Sequence, residues 1–145
     1  MAEVLLEAAG DRKMKLLNMR ADNREGGDPD SALTFASRYG HVEVAKLLLS
    51  QNIDVEYELQ PGGFYTSLHR ACANGHVEVA QLLLRHFSTL GKLPEYLNQK
   101  TSPKDKDGEH PMTSLMCAAK NGYTHMVRML LLITSDDLLM TSDDL

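Results

Sequence analysis

Gly40-His41-Val42-Glu43-Val44-Ala45-Lys46-Leu47-Leu48-Leu49 recurs at Gly75-His76-Val77-Glu78-Val79-Ala80-Gln81-Leu82-Leu83-Leu84 with a single change, Lys46 to Gln81. Identity that dense, at a separation of 35 residues, means that the chain is built from copies of one structural unit. A looser third copy runs Gly122-Tyr123-Thr124-His125-Met126-Val127-Arg128-Met129-Leu130-Leu131. A period in this range marks a stacked architecture in which each unit contacts only its neighbours.

Each copy begins ahead of its glycine. Ser31, Thr66 and Thr113 stand nine residues before Gly40, Gly75 and Gly122, and each is a good helix N-cap whose oxygen accepts an orphan backbone N–H. The pairs Leu33/Ala36, Leu68/Ala71 and Leu115/Ala118 then form a narrow apolar stripe at helical spacing, with small residues that let a neighbouring helix approach closely. Each glycine ends this short helix, because a left-handed cap costs glycine little. A second helix follows, with an apolar face at Val44, Leu47 and Leu48, at Val79, Leu82 and Leu83, and at Met126 or Val127, Leu130 and Leu131. Turn-rich stretches such as Gln60-Pro61-Gly62-Gly63 join the units. The unit is helix, tight turn, helix, extended loop.

Thr66–Leu83 resembles the ankyrin repeat, whose pattern is Thr-Pro-Leu-His-x-Ala-Ala-x-x-Gly-His-x-x-x-Val-x-x-Leu-Leu. It departs at Ser67 for the proline, at Cys72 for the second alanine, and in having Ala80 beside Val79. The first copy has Ser31-Ala32-Leu33-Thr34, and the third has Met116 and Tyr123 where the pattern has histidines. The resemblance therefore implies the family's Thr-to-His side-chain bond only at Thr66 and His69. It covers Asp30 to about Leu132 directly and extends to Val4–Met19, a shortened first repeat that would cap the stack. The fold so implied is an all-α ankyrin-repeat solenoid of helix-turn-helix units with extended connecting loops. Its domain spans 1–133, with a degenerate N-terminal repeat at 2–28 and repeats at about 29–61, 62–97 and 108–133.

Spacing breaks once: the repeat glycines are 35 and then 47 residues apart, which places an insertion of about a dozen residues within 89–112. Leu93-Pro94-Glu95-Tyr96-Leu97-Asn98 could add one helical turn with Pro94 at its first position, and Lys100–Gly108 is polar. Ser102-Pro103 offers a proline-directed phosphorylation site, although plain solvent exposure is the preferred reading. Residues 134–145 are an acidic tail or the start of a C-terminal cap, a further helix capped by Ser135. Either Leu138-Leu139-Met140 folds back over the stack or the chain is one piece of a longer array, and the second reading is preferred.

Composition narrows the function classes. The apolar fraction of 43% and charged fraction of 24% suit one globular domain. Net charge is −5, and Asp136, Asp137, Asp143 and Asp144 supply four of those charges. The remaining body is near neutral, so no basic field exists for a phosphate backbone and nucleic acid is not an expected partner. Met1–Glu7 has no basic n-region and no apolar run reaches membrane-spanning length, so neither secretion nor a membrane is expected. Cys72 and Cys117 lack framework spacing, which suits a reducing compartment; a cytoplasmic or nuclear location follows.

His69, Cys72, His76 and His86 invite a metal reading, but Cys72 fills a core slot and both His69 and His76 match repeat positions, so no metal or other cofactor is expected. Gly26-Gly27 and Gly62-Gly63 lack a following Lys-Ser or Lys-Thr, and no nucleophile elbow occurs, so the chain is not expected to be an enzyme.

What the resemblance offers instead is a concave surface lined by loops and by the variable positions of each first helix. Carried onto this chain, those positions are Phe35, Arg38 and Tyr39, then Arg70, Ala73 and Asn74, then Cys117, Lys120 and Asn121. The loop after the first copy adds Glu56, Tyr57, Glu58, Phe64 and Tyr65. Five of the eight aromatics fall in this region, and aromatics with arginine dominate binding hot spots. The expected function is a non-catalytic module binding a protein or peptide through Phe35, Arg38, Tyr39, Tyr57, Phe64, Tyr65, Arg70, Asn74, Lys120 and Asn121. The alternatives are a regulatory or targeting segment of a larger multidomain enzyme, or a small ankyrin-type kinase inhibitor.

Overall fold

The computed structural model describes residues 12, 16–17, 19, 30–51, 65–101 and 111–135. Among them are seven helices: α1 (Ala32–Tyr39), α2 (Val42–Leu49), α3 (Ser67–Ala73), α4 (Val77–Thr89), α5 (Leu93–Leu97), α6 (Ser114–Lys120) and α7 (Thr124–Ser135). The pairs α1/α2, α3/α4 and α6/α7 are the three units, and α5 is an addition between the second and third. The inner helices α1, α3 and α6 pack in a row, with α2 and α4 side by side behind them.

Local chemistry sets the same boundaries in each unit. The Oγ of Ser31 and the Oγ1 of Thr66 and Thr113 accept from the backbone N–H of Thr34, His69 and Met116, so all three N-caps form. At the other end Gly40, Gly75 and Gly122 have φ of 73°, 72° and 76°. The next residue folds back identically each time: His41 N–H donates to Ala36 O at 2.9 Å, His76 to Ala71 at 2.9 Å and Tyr123 to Ala118 at 3.1 Å. That bond closes the hairpin between inner and outer helix.

The core runs between the rows. Ala36, Ala71 and Ala118 are buried, as the stripe of small residues implied, and Leu33 and Leu68 are buried beside them. Leu115 is only partly buried against the same cluster. On the outer helices the buried face is rotated from the expected one. In α4 it comprises Val79, Ala80, Leu83, Leu84 and Phe87; in α7 it includes Met126, Met129, Leu130 and Ile133, while Leu131 is 50% exposed. In α2 only Ala45 is fully buried, and Val44 is 49% exposed although its counterpart Val79 is at 0%. Near-identical sequence with different burial means that neighbours decide. Met126, at the same position in the third unit, is buried with only a preceding unit beside it among the described residues, which points to cover from the preceding side.

The insertion is structured where it leaves α4. Gly91 at φ 70° lets Lys92 N–H return to Phe87 O at 3.0 Å, and α5 begins at Leu93 with Pro94 as its second residue rather than its first. Tyr96 stacks on Phe87 with ring centroids 3.6 Å apart and an interplanar angle of 11°. Its hydroxyl accepts from Leu68 N–H at 2.9 Å, satisfying an orphan donor of α3. Thr101 N–H donates to Met112 O at 2.9 Å, and Met112 N–H to Thr101 Oγ1 at 3.0 Å, closing a neck. Ser102-Pro103 and most of Val4–Met19 lie outside the described residues, although Leu17 within the latter is buried. So does 136–145, whereas Ser135 is the last residue of α7 and not the cap of a further helix.

Candidate partner-binding face

His69 is the pin of the scaffold. Its Nδ1 accepts from Thr66 N–H at 3.2 Å and lies 2.7 Å from Thr66 Oγ1, while Nε2 lies 3.0 Å from Gln99 O and 3.1 Å from Met112 O. Two carbonyls facing Nε2 place the ring proton there and leave Nδ1 as the acceptor. The Thr-to-His bond thus forms in the middle copy; in the first, Ser31 Oγ and Thr34 Oγ1 stand 3.4 Å apart in its place. Burial pushes His69 down to about 4, and the Arg70 charge adds to that, against the pull of the two carbonyls. With both nitrogens occupied it has no lone pair for a metal. Burial pushes the Cys72 thiol up, with Cys117 beside it acting in the same direction, so it is an inert core residue. Among the described residues no three His, Cys, Asp or Glu side chains converge as a metal site.

The inner face carries a connected set of charges and rings. Asp30, only 4% exposed, takes Arg70 Nε and Nη2 on Oδ1, each at 3.0 Å, and Arg38 Nη1 lies 3.6 Å from its Oδ2. The Arg70 guanidinium sits 4.6 Å from the Tyr65 ring centroid, and Tyr65 meets the His69 ring edge-on at 6.0 Å. Arg38 lies 5.5 Å from the Tyr39 centroid. A ladder therefore runs Tyr39, Arg38, Asp30, Arg70, Tyr65 and His69, tying the first unit to the second. Sequence reasoning missed Asp30, although an acid immediately before the Ser31 N-cap was a signal for it.

The predicted residues separate into groups. Tyr39, Arg38, Asn74, Lys120 and Asn121 are exposed, Tyr39 at 58% and the Arg38 side chain at 43%. They occupy the last turn or C-cap of α1, α3 and α6, so the stack brings them to one edge. Asn74 Nδ2 donates to Arg70 O at 2.8 Å and Asn121 Nδ2 to Cys117 O at 2.9 Å, which fixes both amides in one orientation. Tyr65 is half-buried and Arg70 is committed to Asp30, so both brace the surface from beneath. Tyr57, Phe64, Glu56 and Glu58 lie outside the described residues.

Cys117 corrects the expectation for the fourth inner-helix position. Counted along each helix, Phe35, Arg70 and Cys117 share it; Cys117 is 1% exposed and Arg70 reaches back to Asp30. The position points toward the preceding unit, so a small thiol there is enclosed. Phe35 remains 39% exposed at the same position in the first described unit. No helix among the described residues is long and apolar enough to cross a membrane.

Comparison with known proteins agrees with this geometry. A family model described as ankyrin repeats in three copies matches residues 3–92, and one for a single ankyrin repeat matches residues 112–139. The interval left between them, 93–111, contains α5 and Thr101 of the neck. No curated protein matches the chain.

Proposed function

From the premise that this chain belongs to the ankyrin repeat family, we propose that it holds a protein or peptide partner on its inner-helix face and performs no chemistry there. Ankyrin repeats are in general protein–protein interaction modules and typically non-catalytic. The observation that supports this face is the exposed row of Arg38, Tyr39, Asn74, Lys120 and Asn121 on three packed helices, with Phe35 at its first-unit end. Tyr39 is a large, rigid anchor with a polar tip, and Arg38 supplies a fork for a carboxylate; such pairs carry most of the binding energy in interfaces. The buried Asp30 and Arg70 pair holds the row in place without itself contacting a partner. Two buried free cysteines fit a cytoplasmic or nuclear setting.

The test is a comparison of matched surface variants. Tyr39→Ala combined with Arg38→Ala should weaken a captured partner at least about tenfold, the scale of one hot spot, with little change in thermal unfolding. Lys46→Glu on the outer helix α2 should leave it bound. Equal loss with Lys46→Glu, or undiminished capture by the double variant, refutes the assignment to the inner face.

A further inference from the structure

The near-identity of the first two units ends on their outer side. Aligned on the repeat glycines, Leu49 matches Leu84, so α4 runs on through Arg85–Thr89 past the point where α2 stops. The one changed position within the decapeptide, Lys46 against Gln81, and the first position after it, Ser50 against Arg85, both fall here. Between the two helices lies an open groove of about 360 Å³, behind the inner-helix row. Lys46 and Leu49 line one side of it, and Leu82, Arg85 and His86 the other, each set at spacings of three or four on one helix face. A groove of that size suits a short peptide segment rather than a folded domain.

Its polar side chains offer donors with no acceptor to meet them. Among the described residues no acid lines it, although the chain carries 20 acidic residues against 15 Lys and Arg. Arg85 is half-buried and pairs with no acid among the described residues, and its buried Nε has no hydrogen-bond partner. Leaving a buried donor unpaired costs free energy that an arriving acceptor recovers. Lys46 meets Glu43 at 3.4 Å, but the two side chains are 52% and 86% exposed, and such a pair holds its lysine weakly. Glu78, the acid of α4, lines a different cavity at the start of that helix, beside Gly75 and His76. Burial pushes His86 below its ordinary value, so at pH 7 its ring adds a donor without adding charge. Ser50 Oγ already donates to Leu47 O at 2.6 Å and Thr89 Oγ1 to His86 O at 2.7 Å, so neither hydroxyl proton is left for an anion. The charged groups of the groove are therefore Lys46 and Arg85, with the half-buried Leu49 and Leu82 beside them.

We propose that this groove is a second binding site, for a short acidic peptide segment: Lys46 and Arg85 grip a carboxylate, and Leu49 and Leu82 take an adjoining aliphatic side chain. The carboxylate gives Arg85 the acceptor it lacks, and two cations in a partly desolvated groove hold it more tightly than either would on open surface. The site is separate from the inner-helix face and does not depend on the reading made for that face.

Amide chemical shifts of the ¹⁵N-labelled 145-residue chain test it, in titrations with the peptide acetyl-Glu-Leu-Glu-Leu-Glu-amide at pH 7 and about 0.05 M salt. Saturable shifts centred on Leu49, Ser50, Arg85 and His86 are expected. Arg85→Gln should weaken the affinity at least about tenfold. Lys46→Gln, which installs the residue the second copy carries at this place, should weaken it in the same direction and guards against an effect of Arg85→Gln on folding. No saturable shift, shifts confined to the inner-helix face, or full affinity in both variants overturns the proposal. Equal binding of the uncharged acetyl-Gln-Leu-Gln-Leu-Gln-amide overturns the role of the two cations. Inorganic phosphate that matches the acidic peptide in affinity reduces the groove to a simple anion site and overturns it as well.

Discussion

Replacing His69 by leucine should destabilise the protein by an amount that shrinks as the solution is acidified. At neutral pH the histidine is neutral, fully buried, and hydrogen-bonded at both ring nitrogens. Leucine fills much of the volume but leaves Thr66 N–H and the carbonyls of Gln99 and Met112 without that partner, a loss of about 3–5 kcal/mol. The pH term works in the opposite direction. The folded-state value is pushed from 6.5 to about 4, chiefly by burial. The unfolded chain therefore binds a proton below pH 6.5 that the folded chain refuses until about pH 4. The stabilisation is fully present above pH 6.5 and is lost as the pH falls through that window, reaching about 3 kcal/mol of loss near pH 4. His69→Leu has no proton to bind in either state. The stability gap between parent and variant, measured by urea titration at pH 7 and pH 4, should narrow by about 3 kcal/mol. Taking the difference cancels other groups that titrate alike in both proteins. A gap that stays constant across that range refutes the account of His69 as a buried neutral pin.

Two further substitutions isolate single contacts. Gly75→Ala and Gly122→Ala meet the same left-handed backbone strain of about 1 kcal/mol, but only at Gly75 does the new methyl meet a ring, that of Tyr123. Gly75→Ala should be the worse of the two by about 1 kcal/mol or more in thermal or denaturant unfolding; equal effects would deny the ring contact between units. Tyr96→Phe should keep the stack on Phe87 yet cost about 1–3 kcal/mol, because Leu68 N–H loses its acceptor. An unchanged urea midpoint would show that α5 does not brace α3.

The sequence shows most clearly those features that are local. The caps Ser31, Thr66 and Thr113 and the turn glycines are set within one unit, and the Ala36/Ala71/Ala118 stripe is a small-residue pattern plain in the sequence; all form. The insertion was located by arithmetic on glycine spacing, but its role was not legible, since Tyr96 meets Leu68 across 28 residues. Val44 and Val79 stand in nearly identical decapeptides and differ completely in burial, so no reading of that segment alone could separate them. The exposure of the inner-helix ends was legible for Tyr39, Arg38, Asn74, Lys120 and Asn121, which stand in the last turn or at the C-cap of their helices. It was misread for Cys117, because the fourth position turns sideways by an angle that helical spacing alone does not reveal.

Within this one chain, variation is sorted by packing. The decapeptides beginning at Gly40 and Gly75 differ at one position, since their residues form the hairpin turn and the layer between units. The seventh and eighth positions counted from the first inner-helix residue hold Arg38 and Tyr39, then Ala73 and Asn74, then Lys120 and Asn121. Asn74 and Asn121 satisfy their own helix carbonyls, Tyr39 stands largely in solvent, and Arg38 is part-exposed beside Asp30. A scaffold whose stability comes from near-identical interfaces can change this edge residue by residue at little energetic cost. Rings, cations and amides are what it carries there, and those are the groups that discriminate one polypeptide surface from another. That division between a repeated layer and a variable edge is the physical reason for proposing partner recognition at the inner-helix termini rather than at the repeated part of the outer helices.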